Sequence, residues 1–317
     1  MPLRAPGSGG RLRAPAAPDS PTETRLSFDI TPLTDPRPAP ASRRLAWLAS
    51  GADGVPLGSA FLRLFTKEGQ DHLAELRLAV HGTERRRGVG TRLLEAAVDA
   101  ARTERRRSVI AEAEQDSPAD LFLAARGFRQ VLALTYARLP LADVDRAAID
   151  ALLELPHPGY RLTEWEGTVP DALAQSFAHS RRAMDDMPME GTDFGRVVWD
   201  VERVVAAAEA VARRGELLHT VAVLDADGGV VGFSELVVPG DGTGEGQHYG
   251  TAVLPEHRGR GLARWMKAAA VRHALARHPE LAGLRTDTAA GNKPMQAVNA
   301  SLGYVPTHQA VEYQLDL

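Results

Sequence analysis

Two β-rich apolar runs within residues 219–240 flank the turn-forming run DADGG and predict the two strands of a β-hairpin in the C-terminal part of the chain. A third apolar run, residues 248–254, predicts another strand, and the alanine-rich run that begins at Leu262 predicts a helix. The remaining predicted elements are a strand, a short helix and a final strand at residues 281–288, 292–303 and 310–317. This order predicts an α/β fold with a mixed, mainly antiparallel sheet flanked by helices.

The first half of the chain repeats this pattern. RRRGVG (residues 85–90) matches RGRGLA (residues 258–263) at a spacing of 173 residues, and Gly127 matches Gly303 at a spacing of 176. Landmarks that recur in one order at nearly one spacing indicate the duplication of a whole domain. We predict a first domain over residues 25–145 and a second over residues 155–317. Residues 1–24 are rich in Pro, Gly and Arg and predict a disordered tail.

The two predicted domains differ in one segment. Residues 169–215 have a helical pattern and precede the hairpin of the second half, whereas the first half has only a proline-rich loop at that place. We therefore expect helices that cover one face of the sheet in the second half alone.

Composition excludes several classes of function. Of the 317 residues, 44% are hydrophobic and none is cysteine, so disulfides, zinc–thiolate sites and thiol nucleophiles are excluded, and a reducing cytoplasm is expected. No run approaches the roughly 18 apolar residues of a membrane span. The net charge of −4 lacks the basic surplus of nucleic-acid binders. The ten histidines include no helical pair with metal-ligand spacing, so we predict no metal.

Each repeated turn lies between a strand and a helix and is rich in glycine. Such a turn leaves backbone N–H groups unpaired at a helix N-terminus, where the helix dipole adds positive charge. It is therefore suited to bind phosphate. Neither turn has the Lys-Ser/Thr of a Walker loop, and Arg264 stands where a Rossmann loop has its third glycine.

Both turns share R-x-x-G-x-[G/A] after an apolar strand. With the surrounding order of elements, this resembles the pyrophosphate-binding motif of the GNAT superfamily of acyl-CoA-dependent N-acyltransferases. The resemblance implies two tandem GNAT domains and acetyl-CoA, or another acyl-CoA, as co-substrate. The layout is similar to that of mycothiol synthase, but Met295 and Asn299 depart from the pattern expected there, so that substrate is not carried over.

The resemblance implies that the acyl-pantetheine arm lies between two splayed strands and that the pyrophosphate binds the turn. In the second half the residues so implied are Val253, Leu254, Arg258, Gly259, Arg260, Gly261, Leu262, Ala263, Arg264 and Asn292. In the first half they are Val80, Arg85, Arg86, Arg87, Gly88, Val89 and Gly90.

Acyl transfer to an amine needs a base for the amine and an acid for the thiolate. Many family members carry a tyrosine as the acid, and its place holds Asn299 in the second half. Asn299 is expected to donate a hydrogen bond to the sulfur, and Tyr249 is the alternative acid. His248 is the expected base because its ordinary pKa is about 6.5, with Glu235 as the alternative.

Acidic residues in the helical segment of the second half are candidates for binding the acceptor. Asp185, Asp186 and Glu190 would attract a cationic amine, although an exposed acidic loop has the same pattern. Because only the second half combines turn, cover and polar strand residues, we expect the reaction there. The first half would bind acyl-CoA without turnover or serve as a structural partner.

Three functions remain open from the sequence. The leading hypothesis is an acetyl-CoA-dependent N-acetyltransferase that acts on a small-molecule amine, either a metabolite or an amine antibiotic. The alternatives are a protein or peptide N-acetyltransferase and a non-catalytic acyl-CoA-binding scaffold. A monomer or a homodimer is expected, without nucleic-acid or membrane partners.

Overall fold

The computed structural model describes residues 27–34, 42–66, 69–185, 191–195 and 198–317. The strands are β1 (Phe28–Leu33), β2 (Ser42–Gly51), β3 (Pro56–Phe65), β4 (Leu73–Val80), β5 (Ser108–Glu114), β6 (Arg129–Pro140), β7 (Arg161–Glu166), β8 (Glu216–Leu224), β9 (Val230–Pro239), β10 (Gly244–Val253), β11 (Leu281–Ala289) and β12 (Val305–Asp316). The α-helices are α1 (Val89–Thr103), α2 (Pro118–Ala124), α3 (Arg146–Leu153), α4 (Asp171–Ser180), α5 (Val201–Arg213), α6 (Leu262–Arg277) and α7 (Lys293–Ser301). Within these ranges, no helix is long and apolar enough to cross a membrane. The predicted tail lies outside the described residues.

The duplication is visible in the order of elements. The series β1 to β4, α1, β5, α2 and β6 recurs as β7 to β10, α6, β11, α7 and β12. The turns before α1 and α6 have the same backbone shape, because Gly88 and Gly261 both adopt the left-handed conformation at the helix start, with φ of 85° and 77°. The predicted duplicated α/β fold, with a mixed sheet and flanking helices, is confirmed.

All twelve strands form one sheet in which the two halves exchange their last strands. The order is β1-β2-β3-β4-β5-β12-β6-β11-β10-β9-β8-β7. Strand β12 thus pairs with β5 of the first half, and β6 pairs with β11 of the second half, both antiparallel. The sequence predicts both segments as strands but not this exchange. Each half completes its sheet with a strand of the other.

Core packing fixes the exchanged strands in place. Tyr313 of β12 is 1% exposed and belongs to the first-half core, which also contains Phe128. Its hydroxyl donates to the Asp120 carboxylate and accepts from Gln130 Nε2 at 3.0 Å. In the other direction, Leu139 of β6 is buried in the second-half core. Returning either strand to its own half would expose these side chains, which bury apolar surface from water.

The helical segment of the second half changes the burial of its sheet. In β3 of the first half, Leu62 and Leu64 are fully buried while Phe61, on the other face, is 47% exposed. In β9, residues 230–238 are all buried, because α4 packs on one face and α6 on the other. The expectation of covering helices agrees with this arrangement.

Candidate functional site

Two parallel strands separate in the second half and open a cleft. Strands β10 and β11 pair from Gly244 and Leu281 only as far as Gln247 and Arg285. A β-bulge between His248 and Gly250 also shifts the register of β10 against β9. Beyond this point the two strands diverge, and a cavity of about 590 Å³ extends from the bulge to the turn before α6.

The glycine turn forms one end of this cavity. Gly259 and Gly261 have φ of 75° and 77°, a conformation that favours glycine. Helix α6 begins at Leu262 without a side-chain cap, and its first intrahelical donor is Trp265 N–H, which bonds Gly261 O at 3.0 Å. The amides of the preceding turn therefore lack intrahelical partners. Gly259, Gly261, Leu262, Ala263 and Arg264 line the cavity.

The predicted arginines of this turn have different surroundings. Arg258 Nε donates to Val253 O at 2.8 Å, and its Nη2 donates to Ala183 O at 3.4 Å, so this side chain joins the turn to the strand end and to the covering segment. The Arg260 guanidinium lies 5.7 Å from the centre of the Tyr160 ring. Arg258 and Arg264 both line the cavity, so both place positive charge beside the turn.

The free edge of β10 presents backbone groups to the cleft. Leu254 N–H bonds Val231 O at 2.9 Å and so points towards β9. Because backbone groups alternate in direction along a strand, those of Val253 and Thr251 point into the opening. Asn292 lines the cavity from the other side, where its Oδ1 caps α7 by accepting from Met295 N–H at 3.2 Å.

The first half has the same turn and the same divergence of strands, since β4 and β5 pair only from Leu73 and Ser108 to Leu76 and Ala111, but the start of its helix has a different neighbour. Arg85 Nε donates to Val80 O at 3.3 Å, as Arg258 does to Val253. A Cβ placed on Gly90, however, would lie 3.6 Å from the Phe122 ring. Arg126 stacks on Phe122 and donates to Thr91 Oγ1 at 2.7 Å, which joins α2 to α1.

The corresponding position in α7 is Val298, which lines the second-half cavity. The first-half turn also differs in that Arg86, with φ of 65°, occupies the position of Gly259. Arg87 donates to Glu84 at 3.0 Å, and Val89 is buried in the first-half core.

The side chains of His248 and Tyr304 are in contact at the cavity wall. His248 is 5% exposed, and its Nε2 lies 2.8 Å from Tyr304 Oη. Burial and the nearby Lys267 hold the pKa of His248 well below its usual value, so its imidazole is neutral at neutral pH. A group with so low a pKa is a weak base, which reduces the predicted role of His248 in removing a proton.

Lys267 is a buried cationic residue at the cavity that the sequence pattern does not single out. It lines the cavity, is 1% exposed and lies 3.5 Å from Thr286 Oγ1. Burial lowers the pKa of Lys267 to about 7, against the opposing effect of Asp287. The duplicated position in α1 is Leu94, a core residue. In the sequence, Lys267 lies four residues from both Ala263 and Val271. This helical spacing places the lysine on the same face of α6 as these two apolar residues.

The two other predicted polar groups differ in their access to the cavity. Tyr249 lies in the bulge, is 50% exposed, lines the cavity and accepts from Arg214 Nη2 at 2.8 Å. Asn299 is buried and donates through Nδ2 to Thr288 Oγ1 at 3.1 Å. Its Oδ1 has no hydrogen-bond partner within the described part of the chain. Asn299 therefore contacts the cavity wall from behind rather than the cavity itself.

Glu235 faces the opposite side of the sheet from His248. Its carboxylate forms an ion pair with Arg181, and both side chains are more than nine-tenths buried. The Arg181 guanidinium is enclosed by the rings of Phe177, Trp199 and Phe233. Burial raises the pKa of Glu235 while Arg181 lowers it. This arrangement favours a structural role for Glu235 as the counter-ion of Arg181 over the predicted role as a base.

The cover of the cavity comes from both halves. Ala183 and Met184, in a short 3-10 helix after α4, line it on one side. Leu132 and Leu134 of the exchanged strand β6 line it on the other, so the second half alone does not complete the cavity. Asp185 is exposed next to Met184. Asp186 and Glu190 lie outside the described residues, so the acidic acceptor site stays a prediction.

Comparison with known proteins agrees with the geometry. The model of the acetyltransferase (GNAT) family matches residues 16–128 and 185–304, which together exceed half of the chain. No curated protein sequence matches it. Among solved structures, it is similar to a tandem GNAT protein from the clavulanic acid biosynthesis pathway, solved without acetyl-CoA. The two are 26% identical, with a TM-score of 0.72 over 88% of this chain and 84% of that one.

Two further structures are similar in fold. A GCN5-related N-acetyltransferase from Sphaerobacter thermophilus is 17% identical, with a TM-score of 0.60 over 86% of this chain and 80% of its own. A GCN5-related N-acetyltransferase from Kribbella flavida is 17% identical, with a TM-score of 0.53 over 81% and 87%. The family generally uses acetyl-CoA or another acyl-CoA. The chain belongs to the acetyltransferase (GNAT) family and is an acyltransferase with two tandem domains.

Proposed function

We propose that the protein transfers an acetyl group from acetyl-CoA to the amine of a small molecule and that the reaction takes place in the second half. The observation that carries this proposal is the cleft between β10 and β11, which runs into a glycine turn at the start of α6. The first half has the turn, but Phe122 packs against Gly90 where the cleft would continue.

The co-substrate follows the cleft. Its pyrophosphate binds the amides of the turn from Gly259 to Arg264, with Arg264 adding charge. The pantetheine amides bond the backbone groups of Thr251 and the N–H of Val253, as an added strand would, while Val253 O accepts from Arg258. Asn292 contacts the arm from the N-terminus of α7. Arg258 acts indirectly, because its guanidinium already joins Val253 to Ala183 and so shapes the turn.

Lys267 carries out the proton transfers of the reaction. In the reaction the neutral amine nitrogen bonds the thioester carbon, the carbon–sulfur bond breaks, the nitrogen loses a proton and the sulfur gains one. A buried amine with a pKa of about 7 exists in both protonation states near neutrality. It is therefore suited to exchange a proton with either atom, directly or through water. Tyr249 at the bulge is the second candidate donor to the sulfur.

The acceptor is expected to be small because the cavity is narrowed from two sides. Met184 approaches the bulge, with its Cε 3.6 Å from the place of a Cβ on Gly250, and Leu132 and Leu134 close the opposite wall. The relative named for clavulanic acid biosynthesis also belongs to a small-molecule pathway by its title. A peptide substrate would need an open groove here.

A thiol-release assay with acetyl-CoA and a panel of small amines tests the proposal. We expect release with at least one amine and none without acceptor beyond slow hydrolysis. Calorimetry with CoA, run in parallel, separates binding from turnover. If CoA binds measurably but no small amine or peptide causes thiol release, the proposed acetyl transfer is wrong and the scaffold hypothesis remains. Release with peptides alone would favour the protein N-acetyltransferase.

A further inference from the structure

A cluster of potential metal ligands lies at the outer edge of the second half, away from the cleft. Glu164 of the edge strand β7, His219 of β8 and His273 of α6 each bring a ligand atom to one place, and these atoms all lie within 4.8 Å of one another. His219 Nε2 is 3.4 Å from Glu164 Oε2. A further carboxylate, that of Glu166, is 3.6 Å from His273 Nε2.

The histidines of this cluster are unusual for a protein interior. The His219 side chain is 4% exposed, yet neither ring nitrogen has a hydrogen-bond partner within the described ranges, and the same holds for His273 Nε2. Buried polar atoms without partners are costly and rare. The two rings stack with centroids 3.4 Å apart. Because these three nitrogens make no hydrogen bond to any described residue, they are available as ligands to a metal ion.

The first half shows that the fold itself does not require these residues. The positions duplicated from His219 and His273 are Leu45 and Ala100, which pack against the first-half core. The bulges of β2 and β8 lie at matching positions, which fixes this alignment at β8. Two histidines therefore occupy positions at which an apolar pair is enough to complete the packing of the first half. This contrast points to a ligand specific to the second half.

We propose that Glu164, His219 and His273 bind one divalent transition-metal ion of the zinc type. Imidazole nitrogens with a carboxylate form a common ligand set for Zn²⁺, whereas Mg²⁺ and Ca²⁺ prefer oxygen alone. The 3.4 Å between the His219 and Glu164 ligand atoms matches the edge of a tetrahedron with bonds of about 2.0–2.1 Å. Glu166 or water supplies the fourth ligand. Because the rings are stacked and parallel, binding turns one of them towards the carboxylates.

The ion would be structural. Strand β7 is the last strand of the sheet and pairs only with β8. A metal held by β7, β8 and α6 fastens this edge to the helix behind it. His219 lies in register with Leu236, which lies in register with His248, so the site is two strands away from the cleft. Metal binding and acetyl transfer are therefore separable.

Full-length protein without a histidine tag, freed of metal by a chelator, is titrated with ZnCl₂ by calorimetry and thermal unfolding. We expect one equivalent to bind and Tm to rise by about 5 °C or more at a hundredfold excess over Kd. Cobalt in place of zinc adds a spectroscopic readout of tetrahedral geometry. Acetyl transfer at saturating substrate is expected to change little.

Three variants and one control make the test specific. His219→Leu and His273→Ala introduce the residues of the first half, and Glu164→Gln alters a side chain that is more than half exposed. Each should weaken zinc binding at least tenfold. His308→Ala, at an exposed histidine of β12, should not. No saturable binding, or binding that all three variants retain, would overturn the proposal.

Discussion

Phe122 of α2 packs against Gly90 of α1, and Val298 occupies the place of Phe122 in the second half. We infer that this difference narrows the space beside the first turn and leaves the second open. We predict that calorimetry finds one CoA per chain. Val298→Phe, which carries the first-half residue into the cleft, should weaken CoA binding at least tenfold because its ring would meet Ala263. Two bound equivalents, or full affinity in the variant, would contradict this reading.

The two turns offer a matched pair of glycines. Gly88 and Gly261 share the left-handed conformation, so valine at either position costs on the order of 1–2 kcal/mol of stability. Gly261→Val should also lower kcat/KM at least tenfold, because its side chain crowds the phosphate-binding amides. Gly88→Val should lose stability but keep activity. If Gly88→Val is the inactive variant, the reaction belongs to the first half.

Lys267 should make the stability of the protein depend on pH. Its pKa falls from 10.5 to about 7 on folding, so in this interval only the unfolded chain holds the proton. The free energy of unfolding then rises with pH by at most about 1.4 kcal/mol per pH unit, while below pH 7 the full cost of the buried charge remains.

Lys267→Met removes this dependence. We expect the variant to be more stable than the wild type at neutral pH, with the difference shrinking as pH rises towards about 10, and to bind CoA but transfer acetyl groups slowly. Urea unfolding across this pH range measures the first effect and thiol release the second. Parallel stability curves would show that Lys267 is not buried with a lowered pKa.

Glu235 is expected to support the fold rather than the reaction. Glu235→Gln leaves the Arg181 guanidinium buried without its counter-ion and should cost about 3–5 kcal/mol in urea unfolding. The protein that remains folded should keep the wild-type dependence of kcat on pH. A stable variant without activity would instead make Glu235 the base.

The exchanged strands predict that the halves depend on each other. A protease site introduced in the segment between α3 and β7 should give two fragments that still elute as one species, because β6 and β12 hold them together. Fragments 1–154 and 155–317 expressed separately should be insoluble or unfolded, since each lacks a strand in its sheet. Two soluble, folded and independent halves would disprove the exchange.

Much of the fold could be predicted because it depends on local patterns. Glycines at the two turns, the hairpin signals and the spacing of the repeats identify the elements and their duplication. The exchange could not be predicted, because β6 and β12 have similar alternating patterns and either could pair with either β5 or β11. Pairing partners depend on packing, such as that of Tyr313 against Phe128, which no local pattern reports.

The site was predicted less completely than the fold. The turn was recognised from its glycines, but β9 is buried on both faces, so its pattern does not tell which way Glu235 points. Lys267 lies in an alanine-rich helix whose pattern does not show that this side chain is buried. The free-energy cost of its charge is apparent only once its burial is known. The cluster around His219 draws on three separate elements, so it has no sequence spacing that a motif could match.

The pairing of Glu114 in β5 with Ala310 in β12 also determines when the sheet can form during synthesis. The ribosome must add nearly the whole second half before the native neighbour of β5 exists, which takes roughly 10–40 s at ordinary elongation rates. During this time the nascent first half lacks the strand that borders β5 in the folded protein. The complete sheet can therefore form only after β12 has been synthesised, and not when the first repeat alone has been made.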